Sequence, residues 1–299
     1  MTLLDPDSVP SADQSLLEAG PGRSLAQDAW RRFRRNRLAM FGLVLVAFLV
    51  IVALVGPFVV QDPTKFSKTV FKEPPTNQHL FGVDHRGADV LANVVYGIRL
   101  SLFIGIMATV LETVIGILIG AVAGWFGGFF DTVSMRLVDV MLGIPYIILA
   151  YAFITVLGRG VLAVILTLAL TAWLQTARTV RAGFLQAKEL EYVEAAKALG
   201  VGQWRIMWRH ILPNVFQPVI VLVAVGVGSA ILAEAALSFL GVGIQPPEPS
   251  LGRMIADSQS HFATAPYLLI FPGLAIIITV LGFLLVGDGL RDALDVKDT

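Results

Sequence analysis

Long runs of apolar residues alternate with shorter polar segments along this chain. An α-helix rises about 1.5 Å per residue, so each run is long enough to cross about 30 Å of hydrocarbon. The pattern predicts about six membrane-spanning helices, at residues 38–60, 100–123, 138–157, 161–180, 218–240 and 267–287. Only Gly158, Arg159 and Gly160 separate the third run from the fourth, which predicts a tight helical hairpin. The expected fold class is therefore all-α, a polytopic membrane protein.

The polar segments divide the chain into parts that differ in character. The parts are an N-terminal tail with a basic flank at 1–37, a first span at 38–60, a polar loop at 61–99, a five-helix core at 100–287 and a C-terminal tail at 288–299. The core contains a second long polar loop, at 181–217. The first 22 residues are polar and have no apolar face, which predicts a mobile tail.

Composition and charge support the membrane assignment. Hydrophobic residues make up 56% of the chain, charged residues 15%, and the mean hydropathy is +0.76, which together exclude an ordinary soluble domain. Of the 22 Lys and Arg residues, 15 would lie on the side of the N-terminus and 7 on the other, so we expect both termini in the cytoplasm. The arginine-rich segment at 30–37 directly precedes the first span, so we interpret it as a membrane flank and not as a nucleic-acid site.

The polar loop at 181–217 is too long and too amphipathic for a simple connector. Its first half predicts a short helix at about 189–199, which Gly200 would end as a C-cap. The small and apolar residues on one side of this helix are Tyr192, Ala195, Ala196 and Leu199, whereas Glu191, Glu194 and Lys197 lie on another. A side built mostly from alanine suits docking on another protein better than burial in lipid. The periodicity alone also allows a solvated loop at the lipid surface.

The second half of the same loop has an interfacial pattern. Its apolar face comprises Trp204, Met207, Trp208 and Ile211, and Arg205 and Arg209 lie one turn apart on another face. We expect this second helix to lie at the membrane surface. Proline interrupts helices, so Pro213 is expected to end the helix before the chain re-enters the membrane.

Several motifs of this chain resemble one family. Glu194-Ala195-Ala196, Gly200 and Ile211-Leu212-Pro213 resemble the signature loop of the permease subunits of binding-protein-dependent ABC importers. His210 stands where the general pattern has isoleucine, but Arg209-His-Ile-Leu-Pro-Asn214 is similar to the dipeptide, oligopeptide and nickel branch. Further segments resembling the second permease of that branch are 35–42, 79–89, 127–139, 233–241, 245–250 and 287–295. The chain departs from the pattern at Ala88 (usually arginine), Leu251 (usually tryptophan) and Val296 (usually proline).

The resemblance implies a fold, a site and a set of partners. The fold would be that of a type I ABC importer permease, in the plasma (inner) membrane of a bacterium or archaeon. Its coupling helix would carry Tyr192, Glu194, Ala195, Ala196, Leu199 and Gly200, followed by an interfacial helix with Trp204, Arg205, Trp208, Arg209 and Pro213. The partners would be two ABC ATPases, a homologous permease and an extracytoplasmic solute-binding protein. Short peptides are the first expectation for the cargo, with nickel or another small solute as alternatives.

The chain has no Gly-x-x-x-x-Gly-Lys-Ser/Thr phosphate cradle. We therefore expect it to bind no cofactor and to catalyse no reaction itself. ATP and Mg²⁺ would be bound by the partner ATPases. A secondary transporter that works without ATP is the alternative class, but such proteins often contain inverted repeats, and none is evident here.

Four polar residues at membrane depth are candidates for the pathway or for the interface between subunits: Glu112, Ser229, Glu234 and Ser238. A buried carboxylate is costly unless it is paired, protonated or exposed to a wet cavity. For Glu234, between Ser229 and Ser238, a structural hydrogen-bonding role is favoured. For Glu112, the pathway and helix packing are equally compatible with the sequence.

Other chemistry is poorly supported. His79, Asp84, His85 and Asp89 are near one another in the polar loop at 61–99, but such residues on a polar loop are usually solvated, and we expect no metal site there. The sequence contains neither a His-Glu-x-x-His zinc motif nor a Gly-x-Ser-x-Gly nucleophile turn, which disfavours an intramembrane hydrolase.

Overall fold

A computed structural model describes residues 25–65 and 71–294 of the protein. The α-helices of this part are α1 (Leu25–Arg35), α2 (Arg37–Val59), α3 (Val90–Phe126), α4 (Gly128–Leu142), α5 (Tyr146–Leu157), α6 (Val161–Ala187), α7 (Glu191–Ala198), α8 (Gln203–Arg205), α9 (Leu212–Phe239), α10 (Leu251–Ser258) and α11 (Tyr267–Leu294). A π-helical turn at Ile206–Ile211 joins α8 to α9, and a 3₁₀ turn at Gln259–His261 follows α10. The predicted all-α class is confirmed. The tail predicted over residues 1–22 lies outside the described residues.

Within residues 25–65 and 71–294, five continuous helical segments have the length and composition to cross a membrane: Arg37–Val59, Val90–Phe126, Val161–Ala187, Gln203–Phe239 and Tyr267–Leu294. The predicted third span, at 138–157, is not a single straight helix. It falls on α4 and α5, which are bent by 104° at the break between them. Pro145 precedes α5 and lacks an N–H group, and a proline disfavours helical geometry in the residue before it, so the helix stops here. In the described part of the chain, the number of spans is six only if this bent pair is one broken span.

The helices extend further than the apolar runs predicted. Helix α3 begins ten residues before the expected start at residue 100, because the Asp89 side chain accepts a hydrogen bond from the backbone N–H of Ala92 at 2.9 Å. Helix α6 continues to Ala187, and α11 continues to Leu294 in what we predicted as a tail. Hydropathy marks the part of a helix that contacts hydrocarbon, whereas capping groups determine where the helix ends.

Helices α3 and α6 pack together over much of their length. Three glycines spaced four residues apart on α3 form the contact. A Cβ atom added at Gly120 would lie 2.4 Å from the carbonyl oxygen of Ala177, and one at Gly124 would lie 2.6 Å from the Cβ of Phe184. Gly116 meets Thr176 in the same way, at 2.6 Å. Small residues therefore allow the two backbones to approach closely, as is typical of helix pairs in membranes.

The N-terminal half of α3 packs against α2, α9, α10 and α11. The buried residues of this core are Leu49, Ala53, Val90, Val94, Ile98, Leu102, Val227, Ile231, Ala235, Leu251, Ala265, Leu268, Ala275 and Ile276. Helix α1 is attached to the same body because Phe33 is buried against Ala39 of α2 and Ala293 of α11. Large apolar side chains are exposed along α2, α4 and α5, as expected for helices that face lipid or another membrane subunit.

Candidate functional site

Helix α7 is docked on the rest of the chain by one narrow side. Val193 and Ala196 are buried, and they belong to a cluster with Phe184 of α6, Met207 of the π turn and Val215 of α9. The residues that enclose this side of α7 come from α6, the π turn and α9. The short helix therefore has little freedom to move independently of α6 and α9.

The opposite side of α7 is exposed. Tyr192, Glu194, Ala195 and Leu199 are exposed, and Leu199 is 84% exposed. The prediction that Ala196 shares this exposed face is wrong, because Ala196 points into the core. The sequence reasoning also missed Val193, although Val193 and Ala196 are three residues apart and both apolar, which could have identified the buried side.

Gly200 ends α7 in the way the sequence predicts. Its φ is +76°, a left-handed conformation that glycine adopts without a steric penalty. The N–H of Gly200 donates to the carbonyl of Lys197 at 3.0 Å, and the N–H of Val201 donates to the carbonyl of Ala196 at 3.1 Å. This pair of bonds is the Schellman motif. The predicted C-cap is confirmed.

Polar contacts attach α7 to three long helices. The ammonium group of Lys197 lies 5.2 Å from the centre of the Trp125 ring at the end of α3, a cation–π contact. The same ammonium group donates to the carbonyl of Lys188, the C-cap of α6, at 3.4 Å. At the other end of α7, the amide of Asn214 in α9 donates to the hydroxyl of Tyr192 at 3.3 Å.

The segment after α7 differs from the predicted surface helix. Trp204, Arg205 and Arg209 are exposed and Trp208 is partly buried, but Met207 and Ile211 are fully enclosed by protein. The π turn has more residues per turn than an α-helix, so it changes which side chains share a face. The expected interfacial face is therefore wrong for Met207 and Ile211. Trp204 instead packs edge-on against Phe126, with ring centres 6.1 Å apart.

Pro213 does not end a helix, contrary to our prediction. It is the second residue of α9, and the helical path is continuous from Gln203 to Phe239. A proline is tolerated in the first turn of an α-helix, where its missing N–H leaves no gap. The preceding π turn supplies the transition, because the N–H of Leu212 donates to the carbonyl of Met207, five residues earlier.

A cavity of about 460 Å³ lies between α3, α5, α6 and α9. Its polar lining consists of Glu112, Tyr146, Gln175, Thr176 and Ser229. Most of the remaining lining is apolar, and the exposed rim includes Ile147, Leu232 and Leu240. Glu112 and Ser229 were pathway candidates, and the structure brings both to this cavity.

Glu234 belongs to a different place. It is 1% exposed and accepts hydrogen bonds from the hydroxyls of Ser101 (2.9 Å), Ser238 (2.8 Å) and Ser250 (3.0 Å). The hydroxyl oxygen of Ser238 also accepts a bond from the N–H of Ile244 at 3.0 Å. This network connects α3, α9 and the start of α10, which is the hydrogen-bonding arrangement that the sequence favoured. Glu234 and Ser238 do not line the cavity, whereas Ser229 takes no part in the network.

Charged pairs connect α4 to α6 near α7. Asp131 of α4 accepts two hydrogen bonds from the guanidinium of Arg181, one of them 2.7 Å long. Asp139 contacts Arg136, three residues earlier on α4, at 3.9 Å. Arg178 of α6 is a closer partner of Asp139, at 2.5 Å. These contacts hold the bent helix pair against α6.

The polar loop before α3 folds against α10 and α11. The Nδ1 of His79 lies 2.8 Å from Asp89, and Arg86 donates to Asp257 at 2.6 Å. The His85 ring lies 5.1 Å from that of His261, and partial burial lowers the pKa of His85. His79 and His85 thus have different partners, and within residues 25–65 and 71–294 no group of three or more potential ligands is arranged to hold a metal ion.

Two family models match this chain. A model described as the binding-protein-dependent transport system inner membrane component matches residues 116–297. A second model, described as the N-terminal TM domain of oligopeptide transport permease C, matches residues 24–75.

Several proteins are similar over almost the whole chain. The dipeptide transport system permease protein DppC of Bacillus subtilis (strain 168) is 41% identical over 279 residues, which cover 93% of this chain and 87% of that protein. The glutathione transport system permease protein GsiD of Escherichia coli O1:K1 / APEC is 39% identical over 270 residues, 90% of this chain and 89% of that protein. Among solved structures, an inward-facing conformation of the MetNI methionine ABC transporter superposes with a TM-score of 0.55 at 19% identity, covering 67% of this chain and 96% of that chain. This likeness supports the fold alone.

Proposed function

This chain belongs to the family of binding-protein-dependent transport system inner membrane components, and on that premise we propose that it is one of two permease subunits of an ATP-driven importer of short peptides. Membership makes it a transport component and not an enzyme. The complex would further contain two ABC ATPases and an extracytoplasmic binding protein. ATP and Mg²⁺ would bind to the ATPases.

The cargo proposal is supported by the names of the similar proteins. One is a dipeptide permease and another a glutathione permease, and glutathione is itself a tripeptide. Short peptides are therefore the common substrate class of two proteins that are each similar to this chain over at least 90% of its length.

The proposed mechanism rests on one observation: one side of α7 is buried and the other is exposed. Its inner side is fixed by Val193 and Ala196. Its outer side presents the exposed apolar residues Ala195 and Leu199, together with Tyr192, whose hydroxyl accepts a hydrogen bond from Asn214. An exposed apolar side next to Glu194 and the Gly200 turn is what a groove on an ATPase would bind. We assign the coupling role to this outer side and the stabilising role to the inner one.

Movement of α7 would be transmitted to the cavity through α6 and α9. Its buried cluster includes residues of α6 and α9, and both of these helices line the cavity further along their length. An ATPase that displaces α7 would thus displace two walls of the cavity together. The joint displacement of these helices would be a rigid-body or hinge motion, as is common when proteins switch between conformations.

The cavity supports the presence of a second permease. Its rim residues Ile147, Leu232 and Leu240 are exposed and apolar, as are many side chains of α4 and α5. A homologous subunit packed over this side would cover the rim and enclose a pathway between the two chains. The excess of Lys and Arg on the side of α7 supports a cytoplasmic location for α7 and for both termini, by the positive-inside rule.

The proposal is tested by purification and uptake. The tagged chain should purify with two ATPases and a second permease, and the complex in liposomes should import a labelled dipeptide only with ATP and the binding protein. Leu199→Ser, on the outer side of α7, should lower the amount of ATPase that co-purifies. Leu80→Ser is the matched control, because Leu80 is 61% exposed in the other polar loop. Uptake driven by an ion gradient without ATP would refute the importer assignment, and equal ATPase recovery with both variants would refute the docking side.

A further inference from the structure

Two carboxylates are buried among the membrane helices of this chain, and their surroundings differ. Glu234 is enclosed by three hydroxyl donors. Glu112 is 7% exposed, and no hydrogen bond or ion pair to its carboxylate is formed by the described residues. Its side chain instead lines the cavity between α3, α5, α6 and α9.

The position of Glu112 is constrained by packing. A Cβ atom added at Gly226 of α9 would lie 3.0 Å from Oε1 of Glu112 and 3.0 Å from the Cγ2 of Thr109. Glycine at 226 therefore leaves the space that the carboxylate occupies. The carboxylate thus lies beside Gly226 at the wall of the cavity.

Among the described residues, no positively charged side chain lines the cavity. The polar residues that line it besides Glu112 are neutral, namely Tyr146, Gln175, Thr176 and Ser229, and its described lining includes no lysine, arginine or histidine. An unpaired carboxylate at membrane depth is costly, and a cation that enters the cavity would remove that cost. The single negative group in an otherwise neutral cavity thus favours a positively charged ligand.

We propose that Glu112 binds a primary ammonium group of the cargo while the cargo passes through this cavity. The inference rests on the proposed function, since it assumes that short peptides are the cargo. An ammonium group has three donors in a compact shape, and neighbouring hydroxyl and amide oxygens, such as those of Ser229 and Gln175, are available in the same cavity. A volume of about 460 Å³ lies within the usual range for small-molecule sites. A lone carboxylate does not supply the several ligands that a metal ion needs, so an ammonium group is the better match.

The ammonium group could come from the peptide N-terminus or from a lysine side chain. Three probes distinguish these sources: alanyl-alanine, N-acetyl-alanyl-alanine and N-acetyl-lysyl-alanine. The assay is thermal unfolding of the purified complex of both permeases and both ATPases without binding protein, so that the selectivity of the binding protein does not enter. Alanyl-alanine should stabilise the wild-type complex, and N-acetyl-alanyl-alanine should require about tenfold higher concentration or more, since a hydrogen bond to a charged group contributes at least that factor. Stabilisation by N-acetyl-lysyl-alanine would assign the site to side-chain ammonium groups as well, and its absence would assign it to the N-terminus.

Variants then test whether Glu112 is responsible. Glu112→Gln should abolish the preference for alanyl-alanine over its N-acetyl form, and Glu112→Asp, which retains the charge, should keep part of it. Leu222→Ala is the matched control, because it alters the same cavity without removing the charge or an ammonium acceptor, and it should keep the preference. Uptake in liposomes should show the effect of Glu112→Gln mainly in KM and less in kcat.

The outcomes separate the two proposals. If the wild-type complex with its binding protein imports no dipeptide, the proposed function fails. If it imports dipeptide, but the N-acetyl form stabilises the complex equally well, or Glu112→Gln keeps the preference, only the role of Glu112 is refuted. If Glu112→Gln fails to assemble, Glu112→Asp still tests the carboxylate, and an equal response of the wild-type complex to the dipeptide and its N-acetyl form still refutes the role of Glu112.

Discussion

Replacing Gly200 tests whether the turn after α7 transmits motion to the membrane. No atom lies within 4 Å of a Cβ added at Gly200, so a larger residue there would not clash. The only penalty comes from the backbone, since φ is +76°. Gly202 supplies a matched control two residues later. It also has open space around its Cβ position, but its φ is −62° and its ψ 142°, which any residue adopts.

The expected cost follows from that backbone angle. A residue other than glycine in the left-handed region costs on the order of 1–3 kcal/mol. Alanine belongs near the lower end, and valine near the upper end because of its branched Cβ. If opening of the turn relieves the strain, about 2–3 kcal/mol raises the ratio of open to closed turn by roughly 30- to 150-fold. Gly200 is exposed and lies outside the membrane spans, so insertion and folding should survive.

Two measurements report on this turn. Hydrogen exchange should accelerate at the amides of Gly200 and Val201, whose bonds to Lys197 and Ala196 close the turn. Uptake of labelled dipeptide by the reconstituted complex should fall in the order wild type, Gly200→Ala, Gly200→Val, while ATP hydrolysis becomes less dependent on the binding protein. Gly202→Ala and Gly202→Val should behave like the wild type. Normal uptake with valine at position 200, or an equal loss with valine at 202, would refute the reasoning.

Three further changes probe the structural contacts, each followed by thermal unfolding of the purified complex. Glu234→Ala should lower the unfolding temperature strongly because it leaves buried hydroxyl donors without an acceptor, whereas Glu234→Gln should be milder; an equal effect of both would contradict the network. Gly120→Ala should destabilise the complex because the added Cβ meets a carbonyl oxygen at 2.4 Å, whereas Gly273→Ala, with open space in α11, should be neutral or slightly stabilising. Asp131→Asn should destabilise by weakening the pair with Arg181, more at low salt than at high salt, and a loss independent of salt would point to packing instead.

The sequence predicted the apolar character of the spans well, because each span requires many apolar residues in a row. It predicted their ends less well. The start of α3 depends on a single capping side chain, Asp89, which lies eleven residues before the predicted start of the span at residue 100. The break before Pro145 was missed because hydropathy averages over a window, although a glycine and a proline two residues apart are a breaker signal.

At the candidate site, the sequence predicted the local turn chemistry and missed the long-range packing. Gly200 was recognisable because a left-handed C-cap is a local requirement. The inward side of α7 was not, since in a helix of eight residues the partners decide which side is buried, and these partners are residues of α6, the π turn and α9. The π turn has no sequence signature, so the faces predicted for Met207 and Ile211 were wrong. Glu112 could be placed in the cavity only once α9 and α5 were in position.

The length of α3 determines how far its ends would move when the helix rotates. At about 1.5 Å per residue, its 37 residues extend for about 55 Å, well beyond the hydrocarbon thickness. The close contact of Gly120 with α6 lies toward one end, about 45 Å from Val90 at the other. If α3 and the helices packed around it move as one rigid body, a rotation of about 5° about this contact would move the far end by about 4 Å. Small displacements beside α7 would thus be magnified at the loop that precedes α3, on the opposite face of the membrane.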